Sequence, residues 1–108
     1  MKSLRNPNRC PTHPGAILRE DILPALSMSQ TEFAQLLDVS RLSVSELLHG
    51  KRALSPEMAM RIARLLNTSA ESWMQMQIAV DLWTIQQEKT KLNAVKPLAK
   101  SRLMLIAL

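Results

Sequence analysis

The chain predicts an all-α fold, and three observations carry that expectation. Apolar residues return about every 3.6 positions along most of the chain, the period of a helix, and no stretch alternates convincingly as a half-buried strand would. Serines stand just ahead of these segments, at Ser29, Ser40, Ser55 and Ser69, where a side-chain oxygen satisfies free donors of a first helical turn. The 108 residues suffice for one domain with a modest core and are too few for two.

Residues 1–12 hold Pro7, Pro11, two Asn and the basic Lys2, Arg5 and Arg9, and read as a flexible arm. Pro14 sits near a first turn, where its missing N–H is harmless. The helix it opens runs through Ile17, Leu18 and Ile22 and is expected to stop before Pro24, since proline removes a helical hydrogen bond. Leu23, Leu26 and Met28 should continue the core. Cys10 and His13 have a C-x-x-H spacing that makes half a metal site. With one cysteine in the chain and His49 on another helix no ligand set is complete, so no metal or other cofactor is expected.

Ser29 and Glu32 form an S-x-x-E capping box for the second helix, in which two backbone donors are satisfied reciprocally. Phe33, Leu36 and Leu37 give that helix an inward stripe, and Ala34 is small where a neighbour crosses. A turn follows at Asp38 and Val39. Ser40 caps the third helix, whose Val44, Leu47 and Leu48 face inward, and Gly50 suits the left-handed residue that ends it. Leu42, Glu46 and His49 then lie on the opposite face, flanked by Ser43 and Ser45, with Arg41 free at the first turn.

Ser55, Pro56 and Glu57 start the fourth helix. Ala59, Ile62, Ala63 and Leu66 form its buried stripe, while Arg61 and Arg64 are expected to be solvated. Asn67 ends it, and Ser69 with Glu71 begins the fifth. There, at 100° per residue, Trp73, Met76, Val80 and Trp83 gather on one side and Met74, Ile78, Leu82 and Ile85 on a nearly separate one. A helix needs one apolar stripe to join its own core. The second is expected to be a homodimer interface, unless the tail folds back to cover it. The helical domain is thus expected over residues 13–88. Residues 89–108 form a tail, basic through Lys89, Lys91, Lys96, Lys100 and Arg102, broken by Pro97, and ending in the apolar RLMLIAL. That run seals the core, joins the dimer or donates an edge strand.

Two short helices joined by so few residues describe a helix-turn-helix, which lays its second helix into a DNA major groove; an ordinary helical hairpin is the competing reading. Lys51 and Arg52 directly after that helix, and a short mixed polar face, suit phosphates and base edges. The net charge is +5, and residues 10–40 are acidic on balance, so the basic charge lies elsewhere and points to a polyanionic partner. No nucleophile lies beside a base, no carboxylate pair has a supporting context, and two glycines make no phosphate-binding loop; binding without catalysis is expected. No apolar run approaches the roughly 20 residues that span a bilayer. The first residues lack the apolar region of a secretory signal. The single Cys10 forms no intramolecular disulfide, consistent with a reducing cytosol.

The segment SQTEFAQLLDVSRLSVSELLHGKR, residues 29–52, resembles the helix-turn-helix of phage-repressor-type regulators. HPGAILREDILPAL at residues 13–26 and SPEMAMRIARLLNTSAESWMQMQIAVDLW at residues 55–83 resemble the HigA subgroup of antitoxins. The likeness covers roughly residues 13–85. Its HPG opening, SPEMA segment and W-x-x-x-Q-x-A-x-D-L-W ending are far more specific than the helix-turn-helix alone. Asp38 departs from the Gly or Asn usual in the turn, although Asp tolerates the left-handed region better than most residues.

The resemblance implies a five-helix, lambda-repressor-like DNA-binding domain. It implies that Arg41, Leu42, Ser45 and Glu46 meet base edges, Arg41 forking onto a guanine, Glu46 accepting from a cytosine amine and Leu42 touching a thymine methyl. Gln30, Ser40, Ser43, Lys51 and Arg52 would hold phosphates. A twofold dimer would set two recognition helices about 34 Å apart on a palindromic double-stranded operator. The resemblance further implies a cognate small toxin, often a ribosome-dependent mRNA ribonuclease, that the protein silences while repressing their shared operon. Glu20 and Asp21 are a candidate toxin surface. A stand-alone regulator is the alternative, and a helical adaptor that binds no DNA is a third reading.

Overall fold

The computed structural model describes residues 9–106, and all its regular structure is helical. Most of the expected arm, with Lys2 and Arg5, and the last two residues of RLMLIAL lie outside the described residues. Five helices build the domain: α1 over residues 14–25, α2 over Gln30–Leu37, α3 over Arg41–Leu48, α4 over Pro56–Leu66 and α5 over Ala70–Gln87. Two short helices follow, α6 over Lys89–Asn93 and α7 over Lys100–Leu103.

The helix α1 does not stop before Pro24. It passes through a π turn at Leu18–Ile22, where the N–H of Leu23 donates to the carbonyl of Leu18, and continues to Ala25. Proline lacks the N–H of an α-helical bond and its ring presses on the carbonyl four residues back. The wider turn opens the ladder just ahead of the ring and lets the helix carry it.

Each of α2 to α5 begins with the expected serine. Ser29, Ser40, Ser55 and Ser69 accept the N–H of Glu32, Ser43, Met58 and Ser72 at 3.0, 3.0, 3.1 and 3.1 Å. At Ser29 the serine half of the capping box is the part that forms. The helix ends are equally uniform. Ser27, Asp38, Gly50 and Asn67 all have positive φ, between 51° and 71°. In each case the next residue's N–H reaches five residues back, as in Met28 to Leu23, Val39 to Ala34, Lys51 to Glu46 and Thr68 to Ala63. That is the left-handed cap that turns a chain sharply out of a helix. Asp38 therefore holds the turn expected of it, at φ 58°.

The core is one cluster. Leu18, Phe33, Val44, Leu48, Ala59 and Ile62 are fully buried, with Ala34, Leu37, Leu47, Leu54, Met58, Ala63 and Trp73 nearly so. Four expected core residues are neither in it nor packed against it: Leu36, Leu26 and, half-buried farther along α5, Val80 and Trp83. Leu36 and Leu26 are 51% and 48% exposed, since at 100° per residue Leu36 lies well off the Phe33–Leu37 line and Leu26 follows the last helical turn of α1. The tail covers nothing: residues 91–106 are exposed throughout, Met104 and Leu105 at 83% each, and α7 with the turn after it replaces the strand considered for RLMLIAL.

Candidate nucleic-acid interface

Helix α3 is held on its inner side and open on its outer one. Val44, Leu47 and Leu48 are buried against α2 and the rest of the core, and Gly15 brings the start of α1 against the main chain of Leu47. On the outer side Arg41 and Leu42 are exposed, Leu42 at 65%, while Ser45 and Glu46 are half-buried. His49 is exposed and its Nδ1 bonds the Ser45 carbonyl at 2.8 Å. Ser40 Oγ accepts the Ser43 N–H and donates to Ser43 Oγ at 2.8 Å. Gln30 is half-buried at the first position of α2, and Lys51 is exposed beyond the α3 cap.

Arg52 lies along this face. Its guanidinium donates to Glu46 Oε1 at 2.7 Å and to Ser43 Oγ at 3.1 Å. Four of the anticipated DNA-facing residues, Ser40, Ser43, Glu46 and Arg52, are thus joined in one network.

Two arginines do work that charge counting missed. Arg19 of α1 donates to the Leu48 carbonyl at 2.7 Å, at the end of α3, and is paired with Glu20. Arg61 of α4, expected in solvent, donates to the Leu37 carbonyl at 2.8 Å, at the end of α2, and pairs with Glu57 at 3.0 Å. Last-turn carbonyls lack partners within their own helix, and a cation there also suits the helix dipole. Each helix of the helix-turn-helix is therefore tied at its end by an arginine from a neighbouring helix. The Glu57–Arg61 spacing of four was the only sequence hint.

A polar network fastens the loop after α3. Buried Gln77 of α5 accepts the Leu54 N–H at 2.8 Å and donates to Asp81 Oδ1 at 2.9 Å. His13 accepts the Gly15 N–H on Nδ1 at 2.9 Å, capping α1, so this ring, half of the C-x-x-H pair, is already committed. Burial holds the His13 imidazole below its usual pKa range, while a hydrogen bond with the Arg52 backbone and the charge of Asp81 act the other way. These contacts give physical content to the HPG opening and to the Gln and Asp of W-x-x-x-Q-x-A-x-D-L-W.

The second stripe of α5 is open where it extends past the core. Ile78, Leu82 and Ile85 are 50%, 54% and 46% exposed. Met74, which periodicity places with them, is half-buried and rests on the protein's own core. No helix among the described residues is long and apolar enough to cross a membrane.

A family model described as helix-turn-helix matches residues 18–73. YbaQ, an uncharacterized HTH-type transcriptional regulator of Escherichia coli K12, is 41% identical over 83 residues, which are 77% of this chain and 74% of that one. Antitoxin HigA-1 of Vibrio cholerae serotype O1 is 33% identical over 98 residues, 88% of this chain and 90% of its own. The solved structure of Pseudomonas aeruginosa antitoxin HigA with the higBA promoter has a TM-score of 0.76 at 34% identity and covers 82% of this chain and 99% of that one. With its helical core, free α3 face and these relatives, the chain belongs to the helix-turn-helix family, among DNA-binding regulators that include the HigA antitoxins, and not among enzymes.

Proposed function

We propose that this protein is an antitoxin that neutralises a small cognate toxin and represses their shared operon by binding a palindromic operator as a dimer in the bacterial cytosol. The observation that carries the DNA half is the two-sided character of α3. Its aliphatic side is fully buried while Arg41 and Leu42 project from the other. Arg41 forks onto a guanine, Leu42 meets a thymine methyl, and Ser45 with Glu46 completes the base-reading set. Gln30, Ser40, Ser43 and Lys51 hold the backbone. The dimer forms through Ile78, Leu82 and Ile85 of the 13–88 unit, whose apolar surface the tail leaves uncovered.

The toxin half is supported by the likeness to HigA antitoxins. Exposed Asp21, next to a Glu20 already paired with Arg19, is the acidic surface offered to a basic ribonuclease. Co-expression with the small gene beside this one, scored for growth rescue and a stable complex, tests that half. A salt-dependent gel shift on the shared promoter tests the other, with Arg41→Ala as control. Rescue and a shift together support the proposal. A shift without rescue leaves a stand-alone regulator, and rescue without a shift removes the repressor role.

A further inference from the structure

We infer that Arg52 is a specificity-setting residue that acts through Glu46, aiming and neutralising its carboxylate on the DNA-reading face, and is not a phosphate anchor. The inference rests on the DNA-binding reading above. Glu46 is a carboxylate on the surface that must approach two strands of phosphates, and unpaired it would repel them. Arg52 removes that obstacle. Its guanidinium spans Glu46 Oε1 at 2.7 Å and Ser43 Oγ at 3.1 Å, and Ser43 Oγ also accepts a hydrogen bond from the Ser40 hydroxyl at 2.8 Å.

The arginine is fixed from both ends. The left-handed Gly50, at φ 71°, turns the chain back beside α3. The residues that follow it are fastened through Leu54 to Gln77. A planar fork held this way sets the carboxylate's orientation, which a flexible lysine would not do. Only Glu46 Oε1 is taken. Oε2 is left to accept from a base amine in the major groove, the contact that marks cytosine. The Arg52–Glu46 pair is partly exposed, with side-chain accessibilities of 46% and 34%, and such pairs contribute little to folding stability. Its effect therefore belongs to DNA reading.

The test selects duplexes from a randomised pool with the wild-type protein, then measures affinity for the winning duplex against salt concentration. Variants are Arg52→Gln, Arg52→Lys, Glu46→Gln and the double Arg52→Gln/Glu46→Gln, with thermal melts to confirm folding. Arg52→Gln should weaken binding about tenfold and lose preference at one base pair, with an unchanged salt slope. Glu46→Gln should lose preference at that same pair. The double variant should regain most of the affinity but not the preference, and Arg52→Lys should keep affinity while loosening preference. A salt slope shallower by about one unit for Arg52→Gln, with additive losses in the double variant, would show a phosphate contact and overturn the inference. So would unchanged preference in Arg52→Gln or, if that variant fails to fold, in Glu46→Gln. A wild-type protein that enriches no sequence overturns the DNA-binding reading first, and this inference with it.

Discussion

Gly15 and Leu47 meet main chain to main chain: a Cβ on Gly15 would stand 1.9 Å from the Leu47 carbonyl oxygen and 2.8 Å from its carbonyl carbon. The start of α1 thus rests directly on the backbone of α3. Gly15→Ala cannot be absorbed by a side-chain rotation, because the obstructing atoms are backbone. We expect a destabilisation of about 3 kcal/mol, the upper end of overpacking costs, read as a lowered urea midpoint. A variant as stable as wild type would show that α1 can shift off α3.

Gln77 is 3% exposed, and its amide serves both the Leu54 N–H and Asp81. Gln77→Leu keeps the volume but leaves the Leu54 donor buried without a partner. The cost should be about 1–3 kcal/mol, measurable by thermal melting. Hydrogen exchange at the Leu54 amide should rise more than at the α2 amides.

The His13 cap makes stability depend on pH. Only a neutral imidazole can accept the Gly15 N–H, and burial sets the folded pKa below the ordinary 6.5. The stabilisation is complete above the unfolded value and declines as pH falls from about 6.5 through the lower folded pKa. His13→Asn retains a cap acceptor that does not titrate. Urea midpoints between pH 7.5 and 5 should fall more steeply for wild type than for His13→Asn. Parallel curves would show that His13 does not carry the effect.

Leu82→Glu should separate the proposed dimer without unfolding the protomer. The side chain is 54% exposed between Ile78 and Ile85, so the protomer loses little, while a twofold interface would face two carboxylates. Light scattering after size exclusion should shift from dimer to monomer mass, with the helical circular dichroism unchanged. A monomeric wild type would end the argument.

What sequence disclosed depended on how far each interaction reaches along the chain. Caps at Ser29, Ser40, Ser55 and Ser69 act across three residues, and the left-handed ends at Asp38, Gly50 and Asn67 across five, so both were legible. The contacts of Arg19 with Leu48 and of Arg61 with Leu37 span 29 and 24 residues, and charge alone marked neither arginine as structural. Pro24 misled because the expected stop assumes α-helical spacing, and the π turn changes that spacing. In the candidate interface the exposed positions followed from helical period. The pairing of Glu46 with Arg52 did not, since it depends on how the chain leaves Gly50.

Among the described residues, three of the four left-handed exits from helices, Ser27, Asp38 and Asn67, bear a side chain where glycine would sit without strain. Replacing Ser27 by glycine would relieve roughly 1 kcal/mol of backbone crowding, offset by the added freedom glycine gives the unfolded chain, while Asp38 and Asn67 already tolerate the left-handed region. The joint after α1 is therefore where an edit costs the fold least, and it leaves the exposed face of α3 and the packed interior as they are.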